Sequence, residues 1–213
     1  MSRADNNNAA IKMKSGGSED PDGFLAAEYS YIAQSAFYAN EDRARVTNFY
    51  LVTIGGFIAG ILGGNFSGSN SSAVTYGFIL FFALLTVQGW LTILQLAKLR
   101  LAWFSSINAM NKIKSYYLEK YQDLKDFQIF DWNQSNTPPQ FSKQSIGFYL
   151  AVQVSLLTGF TAASAAGLSV SEFAGKDYAV PAAGAAFLLA GCSSLNKYRS
   201  LLMVKSAPKT SIE

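Results

Sequence analysis

The sequence predicts an all-α polytopic membrane protein with four transmembrane helices and two long cytoplasmic helical extensions. Three observations predict it. Half of the 213 residues are hydrophobic and only 15% are charged, less charge than a soluble domain of this size carries. The apolar residues are blocked into long runs and do not alternate with polar ones. The basic residues avoid two of the five segments that lie outside those runs.

The first run is Val46 to Gly64, VTNFYLVTIGGFIAGILGG, nineteen residues without a charge. At about 1.5 Å per residue it spans roughly 28 Å, close to the hydrocarbon core of a bilayer. It carries two rows of small residues at four-residue spacing, Gly55/Ala59/Gly63 and Gly56/Gly60/Gly64. Each row lies on one helix face, where small residues let backbones approach closely inside lipid. The expectation is a helix that packs against neighbours on two sides; the plainer reading is that glycine is simply frequent in membrane helices.

Upstream, Leu25, Tyr29, Ile32, Ala36 and Ala39 recur at spacings of four and three, an amphipathic helical stripe. Pro21 and Asp22 suit a helix start, and Glu41 and Arg45 are an i,i+4 pair in the favourable order. No breaker separates this stripe from Val46, so one continuous helix should run from a cytoplasmic stalk into the first span. Before it, MSRADNNNAAIKMKSGGSEDPDG is polar and glycine-rich without an apolar core. It reads as a disordered tail, neither signal peptide nor anchor.

Gly63 to Ala73 is an uncharged Gly/Ser/Asn turn containing the Asn-x-Ser sequons Asn65 and Asn70, which matter only if the turn faces a glycosylating lumen. The second span is Val74 to Ala97. Beyond it Trp103, Ile107, Met110, Lys114, Tyr117, Tyr121 and Leu124 keep alternating spacings of four and three, a heptad seam. The second stalk should therefore pack antiparallel to the first, the alternative being a basic helix lying on the membrane surface.

Pro138 and Pro139 break the pattern within Asp131 to Lys143. A third span, Ile146 to Leu168, carries a further small row, Gly159/Ala163/Gly167. A loop from Ser169 to Asp177 should lead to a fourth, Tyr178 to Leu195. Its Ala/Gly-rich interior suggests that this span is the most buried in protein. The chain thus divides into a tail (1–22), a stalk-and-hairpin unit (23–130, spans 46–64 and 74–97), a linker (131–145), a second hairpin (146–204, spans 146–168 and 178–195) and a C-terminal tail (205–213).

Threading follows from charge. The N-terminal, central and C-terminal segments hold sixteen Lys and Arg residues; the two short loops hold only Lys176. By the positive-inside asymmetry both termini and the central stalk are cytoplasmic.

The chemistry on offer is sparse. The chain has no histidine, which removes the commonest general base and metal ligand, and one cysteine, Cys192, which excludes a disulfide framework. No phosphate-cradling Gly loop precedes a lysine, and no carboxylate lies inside a span. The expectation is no catalytic activity, no cofactor, no metal and, at a net charge of only +3, no nucleic-acid partner. Gln88, Thr92 and Gln95 form a polar stripe on the second span, and Gln153 sits at similar depth in the third. Gln88 and Gln153 are placed to hydrogen-bond as interhelical glue; alternatively the stripe lines a pore in an oligomer. Arg43, Arg45, Lys98 and Arg100 cluster where the stalks meet the bilayer. They suit headgroup anchoring or, with Tyr38 and Trp103 nearby, an anionic ligand such as a nucleotide second messenger.

The order of stalk, membrane hairpin and second stalk over Glu28 to Leu124 resembles the small membrane proteins of the SLATT superfamily. The resemblance rests on EYSYIAQSAFYANEDRARVTNFYLVTIGGFIAGI and on the second span with its stalk. It implies two helical spans and an oligomeric effector, of the kind found in bacterial conflict and nucleotide-signalling systems, that perturbs the inner membrane on signal. This chain departs from the family pattern by its third and fourth spans and by lacking a recognisable sensor domain. The competing expectation is an accessory subunit packed on a larger membrane complex; the partners are then the bilayer and either further copies of the chain or that complex.

Overall fold

The computed structural model describes residues 21–63, 71–121 and 139–204. The expected tail over 1–20, Gly64, the turn with Asn65 and Asn70, Leu124, linker residues 131–138 and the C-terminal tail lie outside the described residues. Four helices follow in order: α1 (Pro21–Gly63), α2 (Ser71–Lys120), α3 (Ile146–Phe173) and α4 (Lys176–Val204). All four are long and apolar enough to cross a membrane.

Helix α1 has 43 residues and α2 has 50, about 65 and 75 Å of rise. A hydrocarbon core takes roughly 30 Å, so more than half of each helix exceeds what a crossing needs. The two run antiparallel, and the far end of the hairpin is fastened where α1 begins and α2 ends. Asp22 accepts two hydrogen bonds from Lys120 Nζ at 2.8 Å and one from Tyr121 at 2.9 Å, while Tyr117 donates to the Asp22 carbonyl at 3.0 Å. The acid lies in the first turn of its helix and the lysine in the last turn of its own, so each also favours the local dipole. The second stalk thus packs on the first and does not lie apart as a surface helix. Pro21 and Asp22 belong to α1, not to the tail, because proline's fixed φ and missing N–H suit a first helical turn.

The fastening titrates. Hydrogen bonds from Lys120 and then Tyr121 hold the Asp22 carboxyl below its ordinary 3.8. Its contribution is therefore complete above that value and lost as pH falls through the lowered one. Lys120 is shifted upward from 10.5 by the same pair, so its contribution is present below that value and lost only as pH rises through the raised one. Amide exchange in the first two turns of α1 should accelerate below pH 4 relative to the rest of the stalk, and Asp22→Asn should give the fast pattern at neutral pH.

At the opposite end of the hairpin, Phe57 of α1 stacks on Phe81 of α2 at 3.6 Å between centroids and meets Phe82 edge-on at 5.5 Å. Helix α3 starts at Ile146 as expected, capped by the Ser145 hydroxyl, which accepts from the Phe148 N–H at 3.2 Å. It packs on both α2 and α4. The loop expected over 169–177 shrinks to Ala174 and Gly175. The helical ladder continues to Phe173, and Gly175 takes φ +101°, which reverses the chain in one residue.

The fourth span corrects the sequence reading. Only 6% of its apolar window is buried, against 39% for the third span. Its small residues do bring it close to α3: the Phe187 carbonyl lies against Gly159, Ala183 against Gly167, and Gly191 against the Ser155 carbonyl. That contact occupies one face. Val180, Leu188 and Leu189 point outward, and an outward apolar face costs nothing in lipid.

Candidate functional site: the buried arginine pair at the stalk base

The inward stripe of α1 does not stop at Ala39. Steps of four and three lead on through Arg43, Thr47, Tyr50 and Ile54, all buried. The seam of α2, followed back from Trp103, reaches Arg100, Leu96, Ile93 and Gly89, also buried. The seams therefore bring Arg43 and Arg100 inside, with 5% and 7% of their surfaces exposed. Arg45 and Lys98, two positions away on each helix, face outward. The expected cluster of four cations is split: Arg45 pairs with Glu41 at 2.7 Å and Asp42 at 3.8 Å, and Lys98 is exposed.

The two buried arginines are unequally satisfied. Arg100 lies over the Trp103 ring at 4.6 Å and donates weakly to the carbonyls of Pro139 and Gln140, both at 3.4 Å. Arg43 has two buried nitrogens, Nε and Nη2, without a partner. The other buried side-chain atoms without partners among the described residues are neutral, Gln140 Oε1 and Ser155 Oγ. No described carboxylate neutralises the pair: burial and then the repulsion of Arg100 both act against the charge on Arg43. A side chain added at Gly147 would come within 3.5 Å of Arg43 Nη1 and 3.3 Å of the Tyr198 hydroxyl, so the first turn of α3 is seated directly on both. Beside them opens a cavity of about 540 Å³, lined by Asn40, Arg43, Arg100, Trp103, Gly147 and apolar side chains including Phe37.

Deeper in the bundle is a buried polar belt. Tyr50 is fully buried and its hydroxyl lies 3.4 Å from Thr158 Oγ1; Thr86 meets Thr161 at 3.0 Å. Thr158 also donates to the Val154 carbonyl at 2.7 Å and Thr161 to the Thr158 carbonyl at 3.0 Å. Gly89 supplies the space, since a Cβ there would collide with the Thr158 and Tyr50 hydroxyls. These groups were not singled out by sequence reasoning, although Gly89 lies in the continued seam.

The expected polar lining is dispersed. Thr92 is fully buried and donates to the Gln88 carbonyl at 2.9 Å. Gln88 is half-buried, while Gln95 and Gln153 are exposed. No hydrogen bond joins Gln88 to Gln153, because Gln153 shares the outward face of α3 with Tyr149, Leu156 and Phe160. The stripe on α2 runs along the margin of the buried face, so a small rotation separates Thr92 inside from Gln95 outside.

The small rows also divide. Gly159, Ala163 and Gly167 lie on the α3–α4 side. Gly55, Gly56, Ala59 and Gly60 are exposed, and a Cβ at each of the three glycines would meet nothing within 4 Å. Among the described residues nothing packs on this face, since the α1–α2 contact uses Tyr50, Ile54 and Phe57. No family model, curated protein or solved structure matches the chain.

Proposed function

We propose that this protein is a non-enzymatic integral membrane protein that acts as a homo-oligomeric membrane effector, with its stalks and both termini on the cytoplasmic side of a bacterial inner membrane. The observation that carries the reading is the outward position of Gly55, Gly56, Ala59 and Gly60 on the membrane half of α1. Two rows of small residues at helical spacing form a surface on which another helix can seat at short distance, and among the described residues nothing covers it. Gln95 and Gln153 support it. Each places on the outward face of its helix an amide without a side-chain hydrogen bond among the described residues, and an adjoining copy would supply the partner. These two amides, unlike Thr92, are also available to line a passage between copies. The cytoplasmic placement rests on the sixteen-to-one distribution of basic residues.

Light scattering of the purified chain in mild detergent tests the proposal. A discrete homo-oligomer is expected for the parent. The Gly56→Leu/Gly60→Leu variant should be monomeric with unchanged helicity, and vesicle leakage caused by the parent should disappear with the oligomer. A parent that is monomeric alone and co-purifies with a larger membrane complex would instead make it an accessory subunit.

A further inference from the structure

We infer that Arg43 and Arg100, together with the first turn of α3, form a binding site for a phosphate ester. The inference is independent of the proposed assembly. Two guanidinium groups held out of water side by side repel each other and lose hydration. Such an arrangement is ordinarily offset by a carboxylate, and none of the described residues supplies one. Arg43 is 95% buried by its 5% exposure, lines the 540 Å³ cavity, and keeps Nε and Nη2 unused. Those two nitrogens lie on one edge of the guanidinium plane, the pair of donors that grips a phosphate through two oxygens. Ile146 and Gly147 bring the positive end of the α3 dipole to the same cavity.

The surroundings are built to hold these groups in place. Trp103 fixes the Arg100 plane, and Tyr198 and Gly147 wall Arg43 on its other side. Asn40 adds a polar group to the rim, while Phe37, with 65% of its surface exposed, and Ile146, with 78%, make the outer lip apolar. A phosphate carried on an apolar or aromatic remainder fits that combination. Its source is either an anionic phospholipid, reached sideways from the bilayer, or a soluble phosphate entering from the stalk side.

The test uses the full chain, stripped of lipid in uncharged detergent, with thermal unfolding and tryptophan emission as readouts. Inorganic phosphate and pyrophosphate are titrated in one arm and mixed micelles containing phosphatidylglycerol in the other. At a hundredfold excess over Kd a rise in Tm of about 5–10 °C is expected, with a change in Trp103 emission. A response only to the micelles assigns the site to lipid; a response to the soluble anions assigns it to a free phosphate; both support the inference. Arg43→Met should raise the Tm of the stripped protein, by removing an unpaired buried charge, and abolish the response. Arg100→Met should weaken the response at least tenfold in concentration, and the exposed-cation variants Arg45→Met and Lys98→Met should leave it intact. No response in either arm, or equal loss in Arg43→Met and Arg45→Met, would overturn the site in favour of none or of general surface attraction.

Discussion

Gly89→Val should destabilise the protomer by about 3 kcal/mol, whereas Gly56→Val should leave it folded. Both glycines sit inside apolar helical runs, and both changes alter helix propensity by the same few tenths of a kcal/mol. What differs is the space beyond the missing Cβ. At Gly89 a Cβ would meet the Thr158 hydroxyl and lie 2.5 Å from the Tyr50 hydroxyl and 3.0 Å from Cζ of its ring. Neither obstacle can swing away, because Tyr50 and Thr158 are both fully buried and belong to different helices. Relief requires α1 or α3 to move off α2. At Gly56 nothing lies within 4 Å. Unfolding of the two variants in a detergent that keeps the chain monomeric separates them: Tm should fall by roughly 6–12 °C for Gly89→Val and change little for Gly56→Val. Equal effects would mean that α1, α2 and α3 do not meet at Gly89.

Tyr50→Ala should cost about 3–5 kcal/mol and Tyr50→Phe less than about 1. The ring is, with that of Tyr198, the largest fully buried side chain among the described residues and joins α1 to the core formed by Leu85, Ile93, Ala151 and Val154. Inside lipid the lost term is packing and the cavity left behind, since apolar groups gain little by leaving one hydrocarbon for another. The hydroxyl contributes less. Its contact with Thr158 is 3.4 Å, near the limit of a hydrogen bond, and Thr158 keeps a 2.7 Å bond to the Val154 carbonyl when the phenol is removed. No orphaned polar group results, so the usual penalty for breaking a buried pair does not arise. Denaturation midpoints of the two variants measure the ratio directly; a phenylalanine variant as weak as the alanine one would show that the polar belt, not the ring, holds α1.

Both predictions turn on residues that a hydropathy reading passes over, and the reason is instructive. The amphipathic stripe of the first stalk is evident to Ala39 and the seam of the second from Trp103 onward, each merging there into an apolar run. Carried four residues further, the first reaches Arg43; carried back three, the second reaches Arg100, and then Gly89. The periodicity that sets the buried face does not change at the membrane boundary, because it is the same helix crossing it. An arginine beside a span suggests a headgroup anchor, and for Arg45 and Lys98, which face outward, that remains compatible. For Arg43 and Arg100 the register places the guanidinium groups inside the bundle.

The glycine rows show the complementary case. Their spacing identifies a face suited to close packing, and on α3 the face is filled by α4. On α1 the same spacing is vacant, because the inward face of that helix was already assigned to Tyr50, Ile54 and Phe57. Small residues mark where a helix can approach; they do not say whether the approaching helix is in the same chain. The fourth span was misjudged for a related reason: its alanines and glycines favour contact on one face, while lipid solvates the others at no cost.

The sequence by itself determined the four helices, their order, and the segments in which positive charge collects. Apolar run length, breakers and charge distribution are one-dimensional quantities, and each is set by local chemistry against a bilayer of nearly constant thickness. Only the tertiary structure decided which face of each helix is spent inside the protomer. It thereby buried Arg43 with Arg100, parted Gln88 from Gln153 and left Gly55, Gly56 and Gly60 open. A helix face has no inside until a second helix occupies it, and a rotation of a few tens of degrees, invisible to composition, moves a residue from the core to the lipid.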